Sequence, residues 1–279
     1  MSKITWLASY PKSGNTWFRV FLTNYLKEDG QPADINKLSI ANFSDRQWWD
    51  DALGWNTSDF TEEAISDARF DIQDSIAARS LQNPIFKTHD SFLDSRSKIR
   101  LFSPAAIRGS IYIVRNPLDV ALSFANHMNQ PVDVAIKKMN NMDARLADNS
   151  AATRPQLTQS LGNWSWHVTS WADSPDSKVH VMKYEDMLAQ PALTFTRACE
   201  FIGLPLDDQK IQRALEYSKF ETLKGQEEIS GFREKPRKCE HFFNEGRAGR
   251  WREGLTKRQV NEIVKVHGGV MKRFGYDPR

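Results

Sequence analysis

A chain of 279 residues can bury a large core and is read here as one domain, 1–279. Its composition, 40% hydrophobic and 26% charged with 14 Gly and 12 Pro, excludes collagen-like repeats and disorder. Lys and Arg number 38 against 35 Asp and Glu, and a net charge of +3 gives no general attraction for nucleic acid, so an anionic partner must be met by a local patch.

The N-terminus passes from Met1 into an apolar, strand-like run without a signal region. The strongest apolar runs are broken by Arg19, Lys27, Arg108 and Arg115, short of the ~20 residues that span a bilayer. Cys199 and Cys239 stand far apart with no ligand spacing around them, which points to two reduced thiols. A soluble, cytoplasmic protein without membrane or nucleic-acid contact is expected.

Residues 4–9 read as a buried strand, and 16–26 as the helix that follows it. A polar surface loop is expected at 29–36. Residues 44–60 carry Trp48, Trp49, Trp55 and Phe60 without clean periodicity; they either line a pocket for an apolar acceptor or pin an irregular loop onto the core. Further strands are predicted at 84–89, 110–115 and 179–183, with helices at 118–127 and 192–202 and a second polar loop at 147–159. Val260, Ile263, Val264, His267, Val270, Met271 and Phe274 recur at helical spacing, so the chain closes with an amphipathic helix in which His267 packs. This alternation predicts an α/β fold: a central parallel sheet flanked by helices.

The junction Tyr10-Pro11-Lys12-Ser13-Gly14-Asn15-Thr16-Trp17 lies between the first strand and its helix. There the free N–H groups of a helix start converge, and Lys12 with the hydroxyls of Ser13 and Thr16 adds donors, as a P-loop-like phosphate or sulfate site requires. The Walker spacing G-x-x-x-x-G-K-[ST] is absent, which disfavours an ordinary ATPase or GTPase.

Pro11 to Trp17 resembles the P-K-S-G-[TN]-T-W signature of the cytosolic-type sulfotransferases, enzymes that use 3′-phosphoadenosine 5′-phosphosulfate (PAPS). Three more elements agree in order and context. Lys87-Thr88-His89 is similar to the family's K-T-H element. The run from Arg115-Asn116-Pro117 through Asp119 to Ser123 is similar to its R-[ND]-P-x-D-[VA]-x-x-S segment, and Tyr184-Glu185-Asp186 to its Y-E-D element. Gly162-Asn163-Trp164 with Trp171, and Gly246-x-x-Gly249-x-Trp251, are weaker likenesses. The short chain and the opening from Trp6 to Tyr10 look like bacterial members.

The resemblance implies transfer of a sulfuryl group from PAPS to a hydroxyl, or less readily an amine, of a small-molecule acceptor, leaving adenosine 3′,5′-bisphosphate. It makes His89 the general base, with Lys12 on the bridging oxygen of the leaving phosphate and Lys87 assisting. It places Ser13, Gly14, Asn15 and Thr16 on the phosphate, Arg115 and Ser123 on the 3′-phosphate, Trp17 stacked on adenine, Tyr184 near it, and more loosely Ser218 and Phe220 beside it. The late loop departs from the family's R-K-G-x-x-G-[DN]-W: Asn244 and Glu245 replace the Arg-Lys pair. Arg247, with Gly249 and Arg250 in the same loop, is the expected substitute charge. Acceptor pockets of the family come from variable loops, here 44–60 and 129–159. His127, His167, His180, His241 and His267 show no ligand spacing, so no metal is expected. The family's dimer motif is not recognisable at 257–262, which leaves a homodimer open. A kinase-like nucleotide-binding protein, or a catalytically silent module on the same fold, is the alternative.

Overall fold

The computed structural model describes residues 2–148, 155–276 and 278. Residues 149–154, part of the loop expected at 147–159, lie outside them. Strand β1 (Ile4–Ser9) is followed by helix α1 (Asn15–Leu26), the two-residue strand β2 (Ala41–Asn42) and helices α2 (Arg46–Leu53) and α3 (Glu62–Arg79). Then come β3 (Ile85–Thr88), β4 (Ile107–Val114), α4 (Pro117–Met128), α5 (Val132–Asn140) and the short pair β5 (Arg145–Leu146) and β6 (Gln159–Ser160). The remainder is α6 (Trp164–Ala172), β7 (Val179–Lys183), α7 (Tyr184–Ala189), α8 (Pro191–Phe201), α9 (Asp208–Tyr217), α10 (Phe220–Ser230), α11 (Trp251–Gly254) and α12 (Lys257–Arg273).

Five strands form one sheet in the order β2-β3-β1-β4-β7. All six residues of β1 are buried, as its largely apolar, uncharged run suits for an inner strand covered on both faces. It pairs in parallel with β3, Leu7 opposite Lys87 and Ala8 opposite Thr88, so the C-terminal ends of the two strands come level. Ligands of open α/β sheets collect at those ends.

The predicted helices and strands fall within a few residues of the observed ones. The largest shift is in β4, which begins at Ile107 rather than at 110. The aromatic segment 44–60 is mostly helical: Trp49 is buried with its indole N–H donated to the Phe43 carbonyl at 2.8 Å, whereas Trp48 and Trp55 are exposed. Trp49 is therefore a pin to the core. α4 begins with Pro117 at its first position and the Asn116 side chain accepting from Leu118 N–H, and α12 begins with a Thr256/Gln259 capping box.

The chain divides into two compact units. One comprises Met1–Tyr10, Ala41–Tyr112 and Met139–Val181; the other comprises Pro11–Ile40, Ile113–Lys138 and Met182–Arg279. The first is centred on Trp6, Phe43, Phe86, Phe92, Phe102 and Trp171, linked by ring contacts of 4.7–6.2 Å. In the second, Phe18 and Phe21 of α1 pack on Phe195 of α8, and Val20, Ile35, Leu223, Phe232 and Phe243 form a further cluster.

Candidate functional site

The sequence-predicted residues divide between the units. His89 and Lys87 belong to the first; the loop after β1, Arg115, Ser123, Tyr184, Ser218, Arg247 and Gly249 belong to the second.

In the second unit the loop turns sharply. Lys12 has φ 67° and Gly14 has φ 105°, both left-handed, a conformation that costs a lysine energy and is retained where the surroundings dictate it. At Gly14 a Cβ would also lie 2.7 Å from Cδ2 of Tyr184, so the glycine admits the Tyr184 ring. α1 then starts without a side-chain cap and without an acidic residue in its first turn, so no carboxylate of that turn offsets its positive dipole end. Ser13 is fully buried and its hydroxyl has no hydrogen-bond partner. Asn15 is buried at the head of α1; Thr16 and Trp17 are half-buried there.

Arg115 follows β4 and is buried. It donates to the Lys12 carbonyl at 2.9 Å and to the Arg247 carbonyl at 3.2 Å, and its guanidinium lies 4.0 Å over the Tyr184 ring, while its Nε has no partner. A buried hydroxyl and a buried guanidinium N–H left over beside an uncapped helix are the donor set that phosphate oxygens satisfy. The Lys12 ammonium sits 3.6 Å from the centre of the Phe242 ring. Burial brings it down to about 8; the charge of Arg115 acts the same way, and Cys239, Glu227 and Glu234 oppose it.

Trp17 meets Tyr184 and Phe195 edge-on, and Trp17, Phe220 and Phe242 are partly buried against one apolar cluster. These are the rings the resemblance assigned to adenine, together with Phe242, which sequence reasoning did not single out. Ser123 is half-buried on α4. Ser218 is fully buried, and its hydroxyl donates to the Ala214 carbonyl at 2.6 Å, so its proton is engaged within its own helix end.

The late loop carries ion pairs of its own. The Arg247 guanidinium is held by Glu245 at 3.0 Å and Glu253 at 2.8 Å, and Arg250 is paired with Glu245. Arg247 also offers Arg115 its carbonyl. Glu245, standing where the family has Lys, pairs with both.

Two carboxylates that sequence reasoning passed over hold this unit in shape. Asp119, buried on α4, accepts from the N–H groups of Gly249 at 2.7 Å and Trp251 at 2.9 Å, and so fixes the late loop. Glu185 accepts from Asn116 N–H at 3.0 Å and from the Tyr276 hydroxyl at 2.7 Å. Both lie inside quoted motifs, which was the available signal.

In the first unit His89 stands just past β3. Its Nδ1 lies 2.7 Å from the Ser9 carbonyl at the end of β1; a carbonyl only accepts, so Nδ1 carries the proton and Nε2 holds the lone pair. That tautomer suits a base. Lys87 is buried on β3, two residues earlier. The two loops expected to bound an acceptor pocket both reach one cavity of about 570 Å³: Arg46, Ser58 and Phe60 come from one, Arg145, Ala147 and Gln156 from the other, and Asp90, the residue after His89, is among the others that line it. His241 is half exposed beside Glu240. Among the described residues no group of His, Cys, Asp and Glu could hold a metal ion, and no helix is long and apolar enough to cross a membrane.

Comparison with known proteins gives a consistent result. The model of the family described as "Sulfotransferase domain" matches residues 3–275. A 3-beta-hydroxysteroid sulfotransferase of Cavia porcellus is 23% identical, covering 97% of this chain and 84% of the relative. Cytosolic sulfotransferase 1 of Arabidopsis thaliana is 25% identical, covering 93% and 76%. The structure resembles a retinol dehydratase solved with retinol and PAP, with TM-score 0.61 and 20% identity over 96% of this chain and 81% of that one. It also resembles a mouse sulfotransferase complexed with PAP, with TM-score 0.59 and 18% identity over 97% and 85%. These structural likenesses show the fold. The two relatives are from an animal and a plant, so the likeness to bacterial members gains no support from them.

Proposed function

We propose that this chain, which belongs to the sulfotransferase family, transfers the sulfuryl group of PAPS to a hydroxyl of a small-molecule acceptor and releases adenosine 3′,5′-bisphosphate. The observation that carries the reading is the set of buried donors around the loop after β1, with the Ser13 hydroxyl and the Arg115 Nε unpartnered beside an uncapped helix. Such a set favours a bound polyanion, because each phosphate oxygen that enters satisfies a group now carrying a desolvation cost.

In the transfer, the acceptor oxygen forms a bond to sulfur while the bond from sulfur to the bridging oxygen breaks. The acceptor proton passes to Nε2 of His89, and the charge growing on the leaving phosphate is met by Lys12, with Lys87 assisting. Arg115 and Ser123 hold the 3′-phosphate; Trp17 and Tyr184 bound the adenine. Positioning and charge suffice for such a transfer, as for phosphoryl groups. The acceptor enters the cavity of the first unit, whose arginines and carboxylates suit a polar molecule. A cytoplasmic setting accords with relatives named cytosolic and with two unpaired thiols, Cys199 and Cys239.

The test is calorimetric titration with adenosine 3′,5′-bisphosphate beside ADP and ATP. Preference for the bisphosphate, abolished in Arg115→Ala, is expected; equal or tighter binding of ATP would overturn the reading in favour of a kinase-like protein. His89→Ala should keep bisphosphate binding and lose turnover, which separates an enzyme from a silent module.

A further inference from the structure

His167 stands on α6, three residues after Trp164, in a motif to which the transfer reaction assigns no role. It is fully buried, yet every ring nitrogen has a specific partner: Nε2 lies 3.0 Å from the His89 carbonyl and Nδ1 lies 2.9 Å from the Tyr112 hydroxyl on β4. The direction of each bond follows from chemistry. The His89 carbonyl can only accept, so the proton is on Nε2; Nδ1 must then accept, and the Tyr112 O–H donates to it. One helical turn later, the Trp171 indole N–H donates to the Asp90 carbonyl at 2.9 Å. Positions 167 and 171 share a helix face, so α6 grips two consecutive carbonyls at the point where the chain leaves β3.

We propose that His167, locked in its Nε2–H tautomer by Tyr112, is a positioning residue for the His89 base. The His89 ring is set by two anchors, Nδ1–H on the Ser9 carbonyl and the backbone carbonyl on His167, and loss of either frees the ring and its tautomer. The inference rests on the reading of His89 as base. The titratable groups facing His167 are Tyr112 from β4 and Tyr10 from the end of β1, whose ring meets it edge-on at 5.4 Å. Burial holds His167 down at about 4 and raises Tyr112 well above its ordinary value, so the arrangement keeps one protonation state through the neutral range.

The experiment uses three variants of the full chain: His167→Leu, which keeps volume and removes both hydrogen bonds; His167→Gln, which restores one donor and one acceptor; and Tyr112→Phe. The primary readout is the ¹⁵N resonance pair of the His89 ring, assigned by its disappearance in His89→Gln. The wild type should show the Nδ1–H tautomer alone, His167→Leu a mixture with an altered titration midpoint, and His167→Gln the wild-type pattern. The second readout is sulfation of 4-methylphenol, whose hydroxyl keeps its proton at neutral pH and so needs the base: kcat is expected to fall about 10-fold or more in His167→Leu, a part of what a general base contributes, with KM and bisphosphate affinity unchanged and recovery in His167→Gln. A smaller loss is expected in Tyr112→Phe, which also serves should His167→Leu fail to fold. An unchanged His89 tautomer and midpoint in both His167→Leu and Tyr112→Phe would overturn the inference, as would equal losses in the leucine and glutamine variants. Failure of the base reading itself looks different: His89→Ala would then retain turnover.

Discussion

The surroundings of His89 and those of the loop after β1 handle buried polar groups in opposite ways. Around His89 the donors and acceptors are matched in series: Tyr112 to His167, His167 to the His89 carbonyl, His89 to the Ser9 carbonyl. Around the loop they are left over, with the Ser13 hydroxyl and the Arg115 Nε unpartnered and α1 uncapped. A matched series fixes one side chain in one state before any ligand arrives, as a base requires. Left-over donors cost stability until an anion satisfies them, as a binding site requires.

The sharpest division between the two regions comes from paired variants. His89→Ala should lower turnover ~100- to 10,000-fold, the usual range for a general base, with bisphosphate affinity intact. Arg115→Ala should weaken the bisphosphate ~30-fold or more by removing a buried charged partner; calorimetry and steady-state rates together would break the comparison if both variants lost both properties. Gly14→Ala should destabilise the protein by ~1–3 kcal/mol, because it forces a side chain into a left-handed position already filled by Tyr184; denaturant midpoints measure this. Asp119→Asn should loosen the late loop at a cost of ~1.5–3 kcal/mol for hydrogen bonds to a charged acceptor, read as faster amide exchange at Gly249 and Trp251.

The smallest effect is the proton linkage of Lys12. Its pKa falls to about 8 in the fold, below a lysine's ordinary 10.5, so between these limits the unfolded chain binds more protons. Stability therefore gains from Lys12 as pH rises through that window, and Lys12→Met should flatten this part of the stability curve. An arriving bisphosphate restores the charge, so binding near pH 8.5 should take up a fraction of a proton, measurable by calorimetry in buffers of different ionisation enthalpy and absent in Lys12→Met.

The contiguous features were legible because their physics is local. The apolar run at 4–9 makes a buried strand wherever it is placed, and Lys12, Ser13, Gly14 and Thr16 follow it by covalent connection. Arg115 follows its strand for the same reason. What the sequence withheld depends on partners remote in the chain. The sequence shows Arg247 as a charge in the late loop and leaves out its ion pairs with Glu245 and Glu253. It likewise leaves out that the Ser218 hydroxyl donates its proton to the Ala214 carbonyl.

Sequence by itself thus determined the family, the βα order and the positions of the loop after β1, His89 and Arg115, since short motifs carry their own backbone geometry. Tertiary structure alone decided which donors are spent and which are left. The tautomer of His89, the lock of Tyr112 on His167, and the grip of Asp119 on the late loop each join residues 55–132 positions apart. No local pattern encodes a hydrogen bond whose two ends the folded sheet must first bring together.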